Sequence, residues 1–168
     1  MKKILIFLIL LLNFSFAQIF DNPAKLENVI GNIPKIKSIK CKFKQEKRLN
    51  NISKPIISKG DFEFIENKGV YFNTTYPIES RTDYTNKKYK QINEIIEAVS
   101  KKRYSKLERE FDFYYIGNIA NWSLGLKPKK NSDSYNFIKS IVIEGKDYIN
   151  KISIHQINGN STIIWFIK

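Results

Sequence analysis

The sequence predicts a mainly β protein of the α+β class, built on one antiparallel sheet. Apolar and charged residues alternate over residues 39–43 and again over residues 60–64, which is the period-two pattern of half-buried strands. Residues 66–69 have turn composition and precede a third apolar run over residues 70–76. A strand followed by a hairpin gives an antiparallel sheet, and the alternation gives it one aromatic face and one basic face.

The rest of the chain continues the strand pattern between turn signals. Further strands are predicted over residues 79–84, 111–116, 122–128, 137–143, 148–157 and 162–167, with a short strand from Tyr89 after a turn at 86–88. Residues 49–58 carry two asparagines and a proline, so we expect mostly loop there with a short extended piece at 56–57.

Two amphipathic helices are expected. The first begins with Asn22 as its N-cap and Pro23 in the first helical position, and it ends before Pro34. The second runs over residues 94–108 and is the longest helical signal. Its apolar stripe consists of Ile95, Ile96, Val99 and Leu107, and Ile92, just before the helix, continues the stripe. The pattern fits a lid over the apolar sheet face or an ordinary packed surface helix with its charges in water.

The N-terminus has the pattern of a secretory signal peptide. Two lysines precede a short apolar run, and a small-x-small ending predicts cleavage after Ala17. The apolar run is shorter than the roughly 20 residues that a membrane span requires. We therefore expect residues 1–17 to be removed, residues 18–168 to form a single domain, and the protein to be periplasmic.

The charge balance is strongly basic. Removal of residues 1–17 takes Lys2 and Lys3 from a formal net charge of +13, which leaves +11. Basic surfaces bind nucleic acid or anionic membranes. Because export argues against nucleic acid, we expect transient contact with an anionic membrane, the alternative being a solvated surface in a lysine-rich composition.

No catalytic constellation is present in the sequence. His155 is the single histidine, and alternation places it on the outward side of its strand. Cys41 is the single cysteine, so no internal disulfide forms, and we expect it to be a small buried apolar residue. No paired ligands indicate a metal site, and no glycine-rich phosphate loop appears. We expect a monomeric binding protein without a cofactor, not an enzyme.

The order of these motifs resembles the LolA family of periplasmic lipoprotein carriers and their LolA-like relatives. The motifs are Phe43-Lys44-Gln45, Lys54-Pro55, Ser58-Lys59-Gly60, Phe62 and Phe64, Gly69-Val70-Tyr71-Phe72, Tyr76-Pro77, and the Trp122-x-Leu124-x-Leu126-x-Pro128 strand. The closing hairpin is also similar, with Asn160 where the family usually has Asp. The resemblance covers nearly all of residues 18–168. It implies a single curved antiparallel sheet that forms an incomplete β-barrel covered by helices.

The resemblance also implies a function. The protein would shield the acyl chains of lipoproteins in an apolar cavity and carry them from an inner-membrane donor transporter to an outer-membrane acceptor. The residues expected to line the cavity are Phe43, Phe62, Phe64, Phe72, Phe111, Phe113, Ile141, Ile152, Ile154, Ile164 and Phe166. The lid helix would contribute Ile92, Ile95, Ile96 and Val99.

Two alternatives remain open at the level of sequence. Lipoprotein carriers of the family place an arginine in the hairpin before the aromatic third strand, whereas residues 66–69 contain Lys68 and no arginine. LolA-like relatives with other lipid cargo share that difference, so a carrier of another lipid fits as well. The second alternative is a basic periplasmic scaffold or interaction protein whose core is filled and which carries no cargo.

Overall fold

The computed structural model describes residues 18–66, 68–83 and 90–168. The expected signal peptide, the turn at 86–88 and the strand from Tyr89 lie outside the described residues. The described helices are α1 (Leu26–Asn32), α2 (Lys90–Ser100) and α3 (Ser105–Glu110). The strands are β1 (Ser38–Arg48), β2 (Ile56–Ile65), β3 (Gly69–Tyr76), β4 (Ser80–Asp83), β5 (Phe111–Asn118), β6 (Asn121–Pro128), β7 (Ile138–Gly145), β8 (Ile149–Gln156) and β9 (Ser161–Ile167).

The strands form one large antiparallel sheet, which confirms the mainly β fold class. Within the described residues the strand order is β4-β3-β2-β1-β9-β8-β7-β6-β5, and the sheet is not closed into a barrel. Every neighbouring pair in the sheet is consecutive in the chain except β1 and β9, whose pairing places Phe43 opposite Phe166, and the consecutive strands β4 and β5 lie at opposite edges. This one long-range pairing joins the first half of the sheet to the second half.

The two faces of the sheet differ as the alternation predicts. On the inner face, which the helices cover, β1 buries Ile39, Cys41 and Phe43. On the outer face the same strand exposes Lys40 and Lys42. The alternation persists through β2 and β3, so the register of pairing aligns apolar residues with apolar residues across the sheet.

The prediction for the first helix was wrong at its start. The helix begins at Leu26, after Lys25, and Asn22 is not its N-cap. Residues 22–24 instead extend the edge of the sheet. The N–H of Ala24 donates to the carbonyl of Phe113, and the N–H of Tyr115 donates to the carbonyl of Asn22. These bonds pair two outward backbone groups of edge strand β5, the carbonyl of Phe113 and the N–H of Tyr115.

The expected single helix over residues 94–108 is two helices. Helix α2 ends at Ser100, and Lys102 has a positive φ of 55°. The N–H of Arg103 donates back to the carbonyl of Ala98 over 2.8 Å, which closes the end of the helix. The break reorients the chain, and α3 then leads into β5.

Strand boundaries differ from the prediction mainly at β2. The loop expected over 49–58 ends at Pro55, because β2 already begins at Ile56 and pairs there with Lys47. The two isoleucines at 56–57 therefore belong to a ten-residue strand. A short 3-10 helix, Asp133–Asn136, precedes β7 where only a turn was expected.

The residues that directly follow the expected cleavage site pack on the outer face. Ile19 is buried, and it lies with Phe20 over Gly125. A Cβ atom at Gly125 would lie 3.0 Å from the Phe20 ring and 3.3 Å from Ile19 Cδ1. The absent side chain therefore leaves the space in which the N-terminal segment packs, and Lys127 covers the Phe20 ring from the other side.

We expect two glycine-to-alanine changes to shift stability in opposite directions. A Cβ at Gly60 would lie 2.0 Å from the backbone oxygen of Asn73, so Gly60→Ala should lower the free energy of unfolding by about 1–3 kcal/mol. Gly31 lies in α1 with nothing within 4 Å of the added atom, so Gly31→Ala should raise it by about 0.5–1 kcal/mol. Urea denaturation followed by circular dichroism measures both, and equal effects would contradict this account of β2–β3 packing.

Candidate functional site

The inner face of the sheet is the candidate site, and the residues expected to line a cavity lie on it. All of them are buried: Phe43, Phe62, Phe64, Phe72, Phe111, Phe113, Ile141, Ile152, Ile154, Ile164 and Phe166. On α2, Ile95, Ile96 and Val99 are buried in the same cluster, and Ile92 is partly buried against it. The structure therefore brings the expected sheet residues and the expected lid residues into one apolar cluster.

One half of the inner face is aromatic. Strands β1, β2, β3 and β9 each contribute a phenylalanine, and the ring centroids of Phe62 and Phe166 are 4.5 Å apart. Phe72 lies 5.0 Å from Phe62 and 5.1 Å from Phe43, in tilted and edge-on arrangements. Aromatic pairs at these separations attract each other by about 0.5–1.5 kcal/mol beyond the area that they bury.

The other half of the inner face is mostly aliphatic. Strand pairing places Ile164, Ile152, Ile143 and Leu124 in one row across β9, β8, β7 and β6. All four of these side chains are fully buried. The half is bounded by edge strand β5, where Phe113 is also buried. Branched aliphatic side chains have few rotamers, so this half provides a fixed apolar wall.

The cover of the inner face consists of short helices held by a few polar contacts. Where α2 ends, the carbonyl of Ser100 accepts the N–H of Ile36 over 3.0 Å. Just beyond it, the Lys102 ammonium donates to the carbonyl of Ile30 at 2.9 Å, which connects the α2–α3 turn to α1. The Lys106 ammonium pairs with Glu94 at 2.6 Å and connects α3 to α2. Lys68, which lies in the β2–β3 turn where an arginine was noted to be missing, is exposed.

Among the described residues, the space between the C-terminal end of α2 and the sheet is nearly filled. A void of about 10 Å³ remains there, and its walls include Ile36, Ile96, Ser100, Ile149 and Phe166. A water molecule needs about 10–15 Å³, and ligand pockets are typically about 300–1,000 Å³. At this point of the described structure the side chains of α2, β1, β2, β8 and β9 leave no room for an acyl chain.

Two larger depressions lie on the outer face, and their walls include charged side chains. One has a volume of about 430 Å³ and includes Lys40, Asp61, Glu63 and Arg81 in its walls. The other has a volume of about 440 Å³ and lies beside the Glu144 carboxylate. Charged walls disfavour an acyl chain because the chain would strip water from them.

A buried tyrosine hydroxyl stands out inside the apolar cluster. Tyr104 is 2% exposed, its ring packs edge-on against Phe113, and its hydroxyl has no hydrogen-bond partner among the described residues. The hydroxyl of Tyr115 is also buried without a partner there. Burial raises the pKa of Tyr104 well above its usual range, and the proximity of Tyr115 adds to the effect. Tyr104 thus stays neutral and is a donor without an acceptor.

The single cysteine and the single histidine lie on opposite faces of the sheet. Burial raises the pKa of the Cys41 thiol, which disfavours the reactive thiolate and fits the expected apolar role. His155 is half-buried on the outer face, and burial together with the charge of Lys139 lowers its pKa. In residues 18–66, 68–83 and 90–168, no three His, Cys, Asp or Glu side chains are grouped to hold a metal ion.

No helix in the described part of the chain has the length and apolar character needed to cross a bilayer.

Some residues of the site were missed by sequence reasoning. Tyr104 was not predicted, because it lies in the break between α2 and α3, where a continuous helix was expected. Ile36 precedes the first strand and was not assigned to the core. The i, i+3 spacing of Ile36 and Ile39 would have been the available signal, but lysines surround both residues.

Comparison with known proteins identifies no relative. No protein-family model matches the chain, and a search of curated proteins found no match.

Replacing Tyr104 tests whether its hydroxyl is unsatisfied. Tyr104→Phe removes a buried donor and should raise the free energy of unfolding by about 1 kcal/mol. The matched control is Tyr71→Phe, because the Tyr71 hydroxyl donates to the carbonyl of Lys68 at 2.9 Å near the surface. That change should lower stability by about 0.5 kcal/mol or less. Urea denaturation compares the variants, and a destabilised Tyr104→Phe would mean that the hydroxyl has a partner.

Proposed function

We propose that the protein is a periplasmic carrier that shields lipid acyl chains between its sheet and its helices. Its cargo would be the lipid anchor of lipoproteins, received from an inner-membrane transporter and delivered to an outer-membrane acceptor. A LolA-like incomplete barrel is the corresponding fold. A LolA-like carrier of another lipid would use the same inner face.

One observation carries the proposal. A wide apolar sheet face is covered by separate short helices and not by a second sheet. Helices α1, α2 and α3 have 7, 11 and 6 residues. Helices α1 and α2 can be displaced without breaking any strand pair, and the described polar contacts that hold them are those of Ile36 with Ser100, Lys102 with Ile30 and Lys106 with Glu94. Helix α3 is held further, because Glu108 and Glu110 accept hydrogen bonds from Lys129 and Ser134.

The hydrophobic effect would drive cargo binding. An acyl chain gains about 0.8 kcal/mol for each CH₂ group that it buries. The helix side chains must leave the sheet for the cargo to enter. The net binding free energy is therefore the difference between the free energy of the cargo's apolar contacts with the sheet and that of the helix contacts that it replaces. Such a balance suits a carrier, because binding must be strong enough to solubilise the chain and weak enough to release it.

The tyrosine pair adds a polar feature to the proposed site. Among the described residues, the Tyr104 hydroxyl has no acceptor in the closed conformation, and the Tyr115 hydroxyl lies in the same region. An ester carbonyl of a lipid would supply an acceptor. A buried donor that gains a bond on binding favours the loaded state over the closed empty state.

The second candidate is a basic interaction protein with a filled core and no cargo. The observation that favours it is the void of only about 10 Å³ under α2. On this reading the phenylalanines of the inner face serve stability alone. The two candidates differ in one property, which is whether α2 leaves the sheet.

A reversible disulfide between the cover and the sheet side tests this property. Ile36 and Ser100 share a backbone hydrogen bond, and both line the void, so their backbones lie close enough for a disulfide. We would combine Ile36→Cys and Ser100→Cys with Cys41→Ala, so that only one pairing forms. Binding of a dansylated fatty acid and mass spectrometry of lipids co-purified from periplasm give the readouts.

The reduced and oxidised forms of this one protein are matched controls for each other. The carrier proposal expects the reduced form to bind the fatty acid and co-purify lipid, and the oxidised form to lose at least about tenfold in affinity. Equal binding by both forms would argue against entry under α2. Absence of lipid and probe from both reduced and unmodified protein would support the interaction protein with a filled core.

A further inference from the structure

The exposed large apolar residues are concentrated at one edge of the sheet. The strand directions place the connections β1–β2, β3–β4, β6–β7 and β8–β9 at the same edge, which we call the loop edge (residues 49–55, 77–79, 129–137 and 157–160). Of the ten exposed large apolar residues in the described part of the chain, seven lie at this edge: Ile52, Ile56, Tyr76, Ile78, Tyr135, Phe137 and Ile157. Each of the four connections carries or adjoins at least one.

Three of these four connections form one continuous surface. The N–H of Ile157 donates to the carbonyl of Phe137 over 3.1 Å, which joins β8–β9 to β6–β7. The N–H of Asn50 donates to the side-chain oxygen of Asn160 over 2.9 Å, which joins β1–β2 to β8–β9. The strands that enter and leave these connections are six neighbours in the sheet, so the surface extends over roughly 24 Å at about 4.8 Å per strand.

The same three connections are basic. Together with two flanking residues on either side, they contain one acidic residue, Asp133. They contain seven cationic residues, which are Lys47, Arg48, Lys54, Lys127, Lys129, Lys130 and Lys139. The fourth connection, β3–β4, has no net charge when the same two flanking residues are counted on either side, because it contains one acid, Glu79, and one cation, Arg81. Charge and exposed apolar side chains therefore coincide on one part of the molecule.

The opposite edge of the sheet has a different character. Its β2–β3 connection contains Glu66 and Lys68, and its β7–β8 connection contains Lys146 and Asp147, all polar and charged. The three remaining exposed large apolar residues of the described chain lie toward this edge, Ile116 and Ile119 at the β5–β6 turn and Ile167 at the end of β9. The concentration of exposed apolar and cationic side chains at the loop edge is thus not shared by the turns at the opposite edge. Residues at the opposite edge can therefore serve as matched controls for substitutions at the loop edge.

We propose that the loop edge docks the protein onto an anionic lipid surface. Glu46 pairs with Arg48, and the Glu110 carboxylate accepts hydrogen bonds from Ser134, so the structure sets three acids against the seven cations. The remaining excess of lysines complements anionic headgroups, each lysine near such a surface contributing about 1 kcal/mol. The apolar side chains project from separate turns, with asparagine, serine and lysine between them. Separate apolar tips suit a fluid interface, into which each inserts independently, whereas a protein partner is bound through a continuous packed patch. The inference does not rest on the carrier function, because it involves no residue of the inner face.

Flotation of the full chain with phospholipid vesicles tests the proposal. Vesicles of phosphatidylcholine mixed with phosphatidylglycerol are compared with vesicles of phosphatidylcholine alone, at low and high salt. The apolar variant combines Phe137→Ser and Ile157→Ser, at side chains that are 68% and 57% exposed. The charge variant combines Lys54→Gln and Lys130→Gln, both at exposed positions. The control combines Ile119→Ser and Lys146→Gln at the opposite edge.

We expect the unmodified protein to float with the anionic vesicles and to be released by salt, because exposed charges are screened. The apolar variant should lose about tenfold or more in partitioning, and the charge variant about fivefold for each lysine. The control should bind as the unmodified protein does. Unchanged circular dichroism of all variants would exclude unfolding as the cause.

Three outcomes would overturn the proposal. One is that the unmodified protein does not bind anionic vesicles, or binds neutral vesicles equally well. Another is that the control loses as much binding as the two loop-edge variants. The third is self-association in analytical ultracentrifugation that Phe137→Ser with Ile157→Ser abolishes, which would make the loop edge an interface between two copies of the chain. Loss of cargo binding in the disulfide experiment would leave the proposal unaffected.

Discussion

The rest of the structure depends on covering the inner face of the sheet. Within the described residues, eight of the nine strands present buried phenylalanine, isoleucine or leucine on one side, and each such side chain is stabilised by about 1.5–3 kcal/mol when removed from water. Three short helices supply the cover. None is long enough to be stable alone in water, so sheet and helices stabilise each other. Val29 and Val99, both fully buried, are the points where α1 and α2 enter this shared core.

The outer face differs from the inner face because most of it is exposed to water. Along β1, Lys42 pairs with Asp61, and Lys44 lies 5.1 Å over the ring of Trp165. Such exposed pairs contribute little stability, about 0–1 kcal/mol each. Their effect is to keep this face soluble and to discourage other strands from pairing with it. The exception is Gly125, over which Ile19 and Phe20 pack, so the outer face is covered where the sheet lacks a side chain.

The sequence predicts the sheet better than it predicts the connections and helix ends. Alternation identifies strands because a half-buried strand must alternate, and it places Phe62 and Phe64 on the correct face. It could not show that Ile56 starts β2, because the pairing with Lys47 is a long-range property. Asn22 has the local chemistry of an N-cap, yet its carbonyl bonds to β5, so tertiary hydrogen bonding overrides the local preference. Core and cavity use the same residue types, and for this reason no pattern could have predicted the filled space under α2.

The tether of α2 and the loop edge lie at opposite ends of the sheet. The void beside the Ile36–Ser100 hydrogen bond is lined by Ile149, which starts β8, and by Phe166 near the end of β9. Phe137 and Ile157 lie at the other ends of these hairpins. A lipid surface that contacts the loop edge therefore does not reach the hydrogen bond that holds the end of α2. The cover is also held at the loop edge, because Glu108 and Glu110 of α3 accept hydrogen bonds from Lys129 and Ser134 of the β6–β7 connection. Contact at the loop edge therefore acts on the attachment of α3 and leaves the attachment of α2 in place.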